Sequence, residues 1–226
     1  MKNKAIFWDF DGTLIYSNES FKDSLECAFK KYNYDLKECI LKEFLVSACS
    51  WYMPELEYIN MTGELWWENL IDKLRLFCGR QGIKENDCNL ICNQFRTNAI
   101  NFKYKLYDDA KDILAYCKNK GYDNYILSNN FPEIVQVIKN FGLDKYITDY
   151  FLSSNIGYEK PRVEIFQYAV KQTNEPKVCY MVGDNPIADI KGGKVAGLKT
   201  ILVHKTSNDE YADYICQNLS DIKTVI

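Results

Sequence analysis

Hydrophobic positions fall into two regimes along the chain. Ala5, Ile6, Phe7 and Trp8 form an unbroken apolar run that ends at Asp9-Phe10-Asp11-Gly12-Thr13. A run this short, closed by polar and glycine residues, predicts a buried β-strand over 4–9. From about Tyr16 to Ile100 the spacing becomes helical. Phe21, Leu25, Ala28, Phe29 and Tyr32 share one face, and Leu36, Ile40 and Phe44 make a second stripe. Trp67, Leu70, Ile71, Leu74 and Phe77 make a third, and Ile91, Phe95 and Ala99 a fourth.

After Lys105 strand and helix alternate. Ala110, Ile113, Leu114 and Cys117 line a helix stopped by Gly121, and a strand follows over 122–127. Ile134, Val137, Ile138 and Phe141 line the next helix, before a strand over 148–152. Val163, Phe166, Ala169 and Val170 are again helical, and strands are expected over 178–182, 198–203 and, at an edge, 213–216. A helix is expected from Pro186 to about Ala196. This order predicts an α/β protein with a parallel, Rossmann-like sheet between helices. The all-helical block interrupts it. The expected division is a core of residues 1–15 and 101–226 with an inserted helical domain over 16–100.

Composition narrows the chemistry. The chain has 226 residues and a net charge of −3 with its one histidine neutral, so no global field favours nucleic acid polymers or an anionic membrane. No apolar run approaches the ~20 residues of a membrane helix. Asp9 interrupts the N-terminal segment before a signal-peptide core forms, so a cytoplasmic location is expected. The nine cysteines are an odd number and contain no C-x-x-C pair. Cys88 and Cys92, one helical turn apart, read as buried apolar groups. The lone His204 lies near no motif and is expected at the surface or a strand end.

In an open parallel sheet, ligands bind beyond the C-terminal ends of the strands. There this chain places Asp9 and Asp11, then Ser128 and Asn129, then Glu159-Lys160-Pro161 after the third strand, then Asp184 and Asp189. Four carboxylates converging on one lysine repel one another unless a cation joins them. Hard oxygen donors without imidazole or thiolate point to Mg²⁺. Asn185 and Pro186 suit a helix start, which would turn Asp189 back toward Asp184.

These motifs, in this order, resemble the haloacid dehalogenase superfamily of phosphohydrolases. D-F-D-G-T-L at 9–14 is similar to the family's first motif, S-N-N at 128–130 to its second, E-K-P at 159–161 to its third and V-G-D-N-P-I-A-D-I-K-G-G at 182–193 to its fourth. The helical insertion sits where the C1 subfamily carries its cap. The resemblance implies a Mg²⁺-dependent phosphatase acting on a small phosphorylated metabolite. Asp9 would be the nucleophile that becomes an aspartyl-phosphate, and Asp11 the acid and then the base. Asp9, Asp184 and the Asp11 main-chain carbonyl would bind the metal, and Asp189 would orient Lys160 or a water on the metal. Ser128 and the amides near Gly12 and Asn129 would hold the phosphoryl oxygens, with Lys160 neutralising nucleophile and phosphoryl. Dehalogenases lack the second aspartate. A phosphosugar mutase keeps both and stays an alternative, as does a non-catalytic binding module. In the insertion, Trp67 reads as core. Trp66 reads as core, or as facing a seam or the cleft, and Trp51-Tyr52-Met53-Pro54 as an inter-helix loop or a lid tip.

Overall fold

The computed structural model describes residues 4–226, so the first three residues of the expected core lie outside the described residues. Six strands form one sheet: β1 (Lys4–Trp8), β2 (Asp123–Ser128), β3 (Ile147–Leu152), β4 (Val178–Gly183), β5 (Lys199–Val203) and β6 (Tyr214–Cys216). Their order is β3-β2-β1-β4-β5-β6 and every pairing is parallel. The order reverses direction between β1 and β4, which opens a crevice at their C-terminal ends.

The unbroken apolar run of β1 has a simple cause: helices cover both faces of the sheet. Ile6 and Trp8 point into one cluster with Ile126, Val182 and Ile201, covered by Ile113 and Leu114 of α5 (Ala110–Asn119) and Ile138 of α6 (Ile134–Asn140). Ala5 and Phe7 point the other way, to Leu127, Met181 and Phe166 of α8 (Val163–Gln172). A short α7 (Ser153–Ile156) follows β3. Buried Asn124 joins the layers: its Oδ1 accepts from Trp8 Nε1 at 3.0 Å, and its Nδ2 donates to the Leu114 and Tyr146 carbonyls. All its polar atoms are thus satisfied in a place where an orphan would be costly.

Between β1 and α5 stand α1 (Ser20–Lys31), α2 (Glu38–Ala48), a 3₁₀ turn at Ser50–Tyr52, α3 (Glu64–Arg80) and α4 (Glu85–Ile100). Asp23 in the first turn and Lys30 and Lys31 in the last suit the dipole of α1. The second expected stripe is incomplete: Phe44 is buried and Leu36 and Ile40 pack against the core, but more of the helix is buried than these three. Helix α2 begins at Glu38, leaving Leu36 outside, and it buries Leu41, Phe44, Leu45 and Ala48. Trp67 is fully buried, Trp66 nearly so, and Cys88 and Cys92 are buried on α4.

The helical segment touches the sheet at two seams. Glu133, before α6, accepts from Arg96 Nη2 at 2.8 Å and from Trp67 Nε1 at 2.7 Å. On the other side Tyr58 N donates to Gly157 O at 3.0 Å and Gly63 N to Ser154 O at 2.9 Å. Gly157 has φ +92°, and a Cβ there would meet the Ile59 backbone at 2.5 Å, so this approach requires glycine.

The expected helix from Pro186 is also revised. A π-helical turn (Pro186–Lys191) comes first, followed by α9 (Gly192–Val195). Asn185 starts the turn: its Oδ1 accepts from Ile187 N at 3.0 Å and Ala188 N at 2.9 Å, and its carbonyl from both Asp189 N and Ile190 N. Asp189 is fully buried in this wider turn. Among the described residues, no helix is long and apolar enough to cross a membrane.

Candidate active site

The crevice between β1 and β4 continues into a cavity of about 750 Å³, walled by the sheet edge on one side and α1, α2 and the 3₁₀ turn on the other. Asp9, Asp11, Ser128, Asn129, Lys160 and Asp184 all line it. Gly12 and Asp189 do not; each stands one layer behind. Gly12 has φ +78°, and a Cβ there would fall 2.5 Å from Asp184 Oδ1, so only glycine lets the loop pass this carboxylate. Gly183 is equally tight, since its Cβ would fall 2.1 Å from Asp189 Oδ2.

Lys160 is the buried hub. Its Nζ lies 2.9 Å from Asp9 Oδ1 and 2.6 Å from Asp189 Oδ1, and donates to the Leu127 carbonyl at 2.9 Å. Its main chain is held by one side chain: Lys160 N donates to Asn129 Oδ1 at 2.7 Å, and Asn129 Nδ2 returns to Lys160 O at 3.0 Å. Asp189 Oδ2 accepts from Asn185 N at 3.1 Å, so both its oxygens are engaged. Asp184 Oδ1 accepts from Thr13 Oγ1 at 3.3 Å. Carboxylate oxygens of Asp9, Asp184 and Asp189 lie within 4.8 Å of one another, a grouping able to hold a cation.

Several further residues hold these groups in place. Asn18 donates to Asp11 Oδ1 at 2.7 Å, and Asn130 Nδ2 donates to Asp11 Oδ2 at 2.5 Å. Asn130 belongs to the S-N-N motif and could have been named with it. Asn18, just before α1, has no such marker. Glu159 is fully buried beside Lys160 and accepts from Ser50 Oγ and Tyr58 Oη of the helical segment. His204 stands at the end of β5, as expected, but not apart from the motifs. Its ring stacks on Tyr107 with centroids 3.9 Å apart, and its Nε2 lies 3.0 Å from Thr13 O, so it touches the first motif loop from behind.

The model of the haloacid dehalogenase-like hydrolases matches residues 3–197. The chain belongs to this family. Pyrophosphatase PpaX of Oceanobacillus iheyensis is 25% identical over 234 residues, spanning 100% of this chain and 98% of that one. Phosphoserine phosphatase of Thermus thermophilus is 29% identical over 105 residues, 46% of this chain and 42% of its own. The magnesium-bound crystal structure of the HAD-hydrolase YfnB of Bacillus subtilis has the same fold, with a TM-score of 0.74 at 21% identity over 100% of this chain and 99% of that chain.

The crowded acids of this haloacid dehalogenase-like site titrate unusually. Burial pushes the Asp11 carboxyl up, the Asn18 amide opposes it and the Asp9 charge adds to it, leaving a pKa of about 6. Burial and then the Asp9 charge push Asp189 up to about 7 against the pull of Lys160. Asp184 is raised by burial and Asp9, and Glu159 by burial. For Lys160, burial works against the charged form, but Asp189 and Asp9 outweigh it and the net shift is upward.

A pH dependence of stability follows. With folded values above the unfolded 3.8, Asp11 and Asp189 make the native state hold more protons than the unfolded chain. Their stabilising contribution is complete below the unfolded value and is lost as pH rises through 6 and 7. The exposed, lysine-paired Glu19 and Glu38 have lowered pKa values and act oppositely, but only below their ordinary 4.5. In chelator, the melting temperature should therefore fall between pH 5 and pH 8. A melting temperature that climbs from pH 5 to pH 8 in chelator contradicts this.

Proposed function

We propose that this chain is a Mg²⁺-dependent phosphatase that hydrolyses a small phosphomonoester through an aspartyl-phosphate on Asp9, with residues 16–100 acting as a C1-type cap. The observation that carries this reading is the Lys160 ammonium between Asp9 and Asp189, in a cavity also lined by Asp11 and Asp184. A carboxylate must be ionised to attack a phosphate dianion, and a buried lysine 2.9 Å away favours that form.

The donor set fits magnesium: the clustered groups are carboxylates alone, hard oxygens whose mutual repulsion a dication relieves. Asp9, Asp184 and the Asp11 carbonyl would hold the ion, whose charge would offset that of the phosphoryl oxygens. Asp189, with both oxygens engaged by Lys160 and Asn185, serves the lysine in this reading.

Asp9 attacks phosphorus, and the ester P–O bond breaks as Asp11 gives its proton to the leaving oxygen. Asp11 then takes a proton from water as that water attacks the phosphoryl, which frees Asp9 and releases inorganic phosphate. Ser128 and the main-chain amides near Gly12 and Asn129 hold the phosphoryl oxygens. Phosphoryl transfer asks mainly for such positioning and charge neutralisation. Asp11 suits both halves, because a group titrating near 6 exchanges its proton readily around neutral pH.

The test uses leaving groups. Asp11→Asn should slow phosphorylation by alkyl phosphates by about 10²–10⁴-fold. Activated aryl phosphates, whose leaving groups need no proton, should lose far less in a rapid-quench measurement of the first turnover. Equal losses for both classes, or undiminished phosphate release in excess chelator, would refute the reading.

A further inference from the structure

The cavity is much larger than a phosphoryl group needs. At about 750 Å³ it falls in the range of pockets for drug-sized ligands, roughly 300–1,000 Å³. Its sheet side is polar and charged. Its far side is built differently: Phe21, Leu45, Val46, Trp51, Tyr52 and Pro54 come from α1, α2, the 3₁₀ turn and the segment just after it. Ile187, at the start of the π turn, stands on the opposite lip. Tyr52, Val46 and Ile187 are 54%, 50% and 55% exposed, so apolar surface faces water on both sides of one opening. Large apolar side chains gathered around a cavity mouth, rather than scattered singly, mark a contact surface.

This wall is also preorganised. Trp51 stacks on Trp66 with centroids 5.8 Å apart and meets Phe21 edge-on at 4.9 Å. Trp66 Nε1 donates to Ser50 Oγ at 3.1 Å, and Ser50 in turn donates to buried Glu159. Tyr52 lies beside Trp51 at 6.3 Å, its ring tilted by 50°. The hydrogen bonds of Ser50 thus tie the aromatic wall to the residue next to Lys160. Such a wall need not be ordered again when a ligand arrives.

The charges on the far side do not favour a second anionic group. Lys22 and Lys42 are its only cations among the lining residues, and neither is free. Lys22 pairs with Glu19, with Asp23 at 3.3 Å and with Glu38 at 3.4 Å. Lys42 pairs with Glu38 at 2.8 Å and Glu19 at 3.7 Å. Three carboxylates face two ammonium groups, so a carboxylate or second phosphate in the leaving group would meet no uncompensated positive charge.

We propose that the far half of the cavity receives an uncharged aromatic ring, and that the substrates are phosphomonoesters of primary alcohols carrying such a ring, as nucleoside 5′-monophosphates do. The inference rests on the phosphatase reading above and names its substrate class. The phosphoryl passes from the ester oxygen to Asp9 and then to water. The nucleoside leaves neutral, its 5′-hydroxyl holding the proton given by Asp11. The base lies against Tyr52 and Trp51, and stacking of a base on an aromatic side chain favours binding by about 5- to 150-fold.

The test compares kcat/KM, with Mg²⁺, for uridine and adenosine 5′-monophosphates against glycerol 1-phosphate and phosphoglycolate. All are esters of primary alcohols, so the type of ester is held constant, and the Tyr52 variants separate the contribution of the ring from that of the ribose. The nucleotides should exceed glycerol 1-phosphate by at least about fivefold, with phosphoglycolate no better than glycerol 1-phosphate. Tyr52→Ala should cut the nucleotide-to-glycerol ratio several-fold, and Tyr52→Phe, which keeps the ring, should preserve it. Tyr168→Ala, an exposed aromatic on α8 away from the cavity, should leave it unchanged. Glycerol 1-phosphate or phosphoglycolate equal to the nucleotides, or a ratio untouched by Tyr52→Ala, overturns the proposal. If no ester releases phosphate, the phosphatase reading has failed. The aromatic wall is then read by tryptophan fluorescence: quenching by uridine 5′-monophosphate but not by glycerol 1-phosphate supports it, and equal responses overturn it.

Discussion

Asp9→Asn should abolish turnover, with a loss on the order of 10⁴–10⁶-fold in kcat, as expected when a nucleophile is removed. The substitution keeps shape and volume. Its amide oxygen can still accept from Lys160 Nζ, which lies 2.9 Å from Asp9 Oδ1. One of three mutually close carboxylates also loses its charge, which relieves repulsion on Asp184 and Asp189. The melting temperature in chelator should therefore stay the same or rise, while the stabilisation by Mg²⁺ shrinks. Near-normal phosphate release by the folded variant would remove Asp9 from the chemistry.

Lys160→Met should injure both stability and activity. The ammonium is buried between Asp9 and Asp189, and removing one partner of a buried ion pair costs about 3–5 kcal/mol because the other charge is left uncompensated. That loss should be greatest near pH 8. Below pH 6 it should diminish, since Asp189, already pushed up to about 7 with the lysine present, can then take a proton. Turnover by the fraction that remains folded should fall by roughly 10²–10³-fold, the usual consequence of deleting one group that stabilises transition-state charge. Chemical denaturation at pH 5.5 and pH 8 separates the two effects. An equal stability loss at both pH values would mean that the lysine does not compensate Asp189.

The parallel sheet was legible because β1 and β4 are apolar on both faces and the strands that follow helices end in polar residues. Strand positions came out within about a residue for the same reason. The helical segment was less legible. The stripe through Leu36, Ile40 and Phe44 marks only one edge of the buried face of α2, which extends to Leu41, Leu45 and Ala48. The π turn after Asn185 was not foreseeable from spacing, since it depends on one carbonyl receiving both Asp189 N and Ile190 N.

The same contrast holds at the site. Asp9, Asp11 and Asp184 announce themselves by their place at strand ends, and Lys160 by the E-K-P it forms in the loop beyond β3. The residues that hold them do not. Asn18 on Asp11 and Tyr58 on Glu159 are single polar side chains brought in by the fold from 7 and 101 positions away. His204 follows β5 and reaches the Thr13 carbonyl only because the sheet brings the end of β5 close to the first motif loop.

The central claim is that a carboxylate of this chain carries the phosphoryl group between ester and water. It is tested most directly by quenching the enzyme during turnover of a phosphomonoester, reducing any acyl phosphate with borohydride and mapping the modified peptide by mass spectrometry. The account predicts conversion of Asp9, and of no other aspartate, to homoserine, in a manner that requires both substrate and Mg²⁺ and disappears in Asp9→Asn. Phosphate release at the full rate with no reducible acyl phosphate at Asp9, or with the label on another residue, would contradict it.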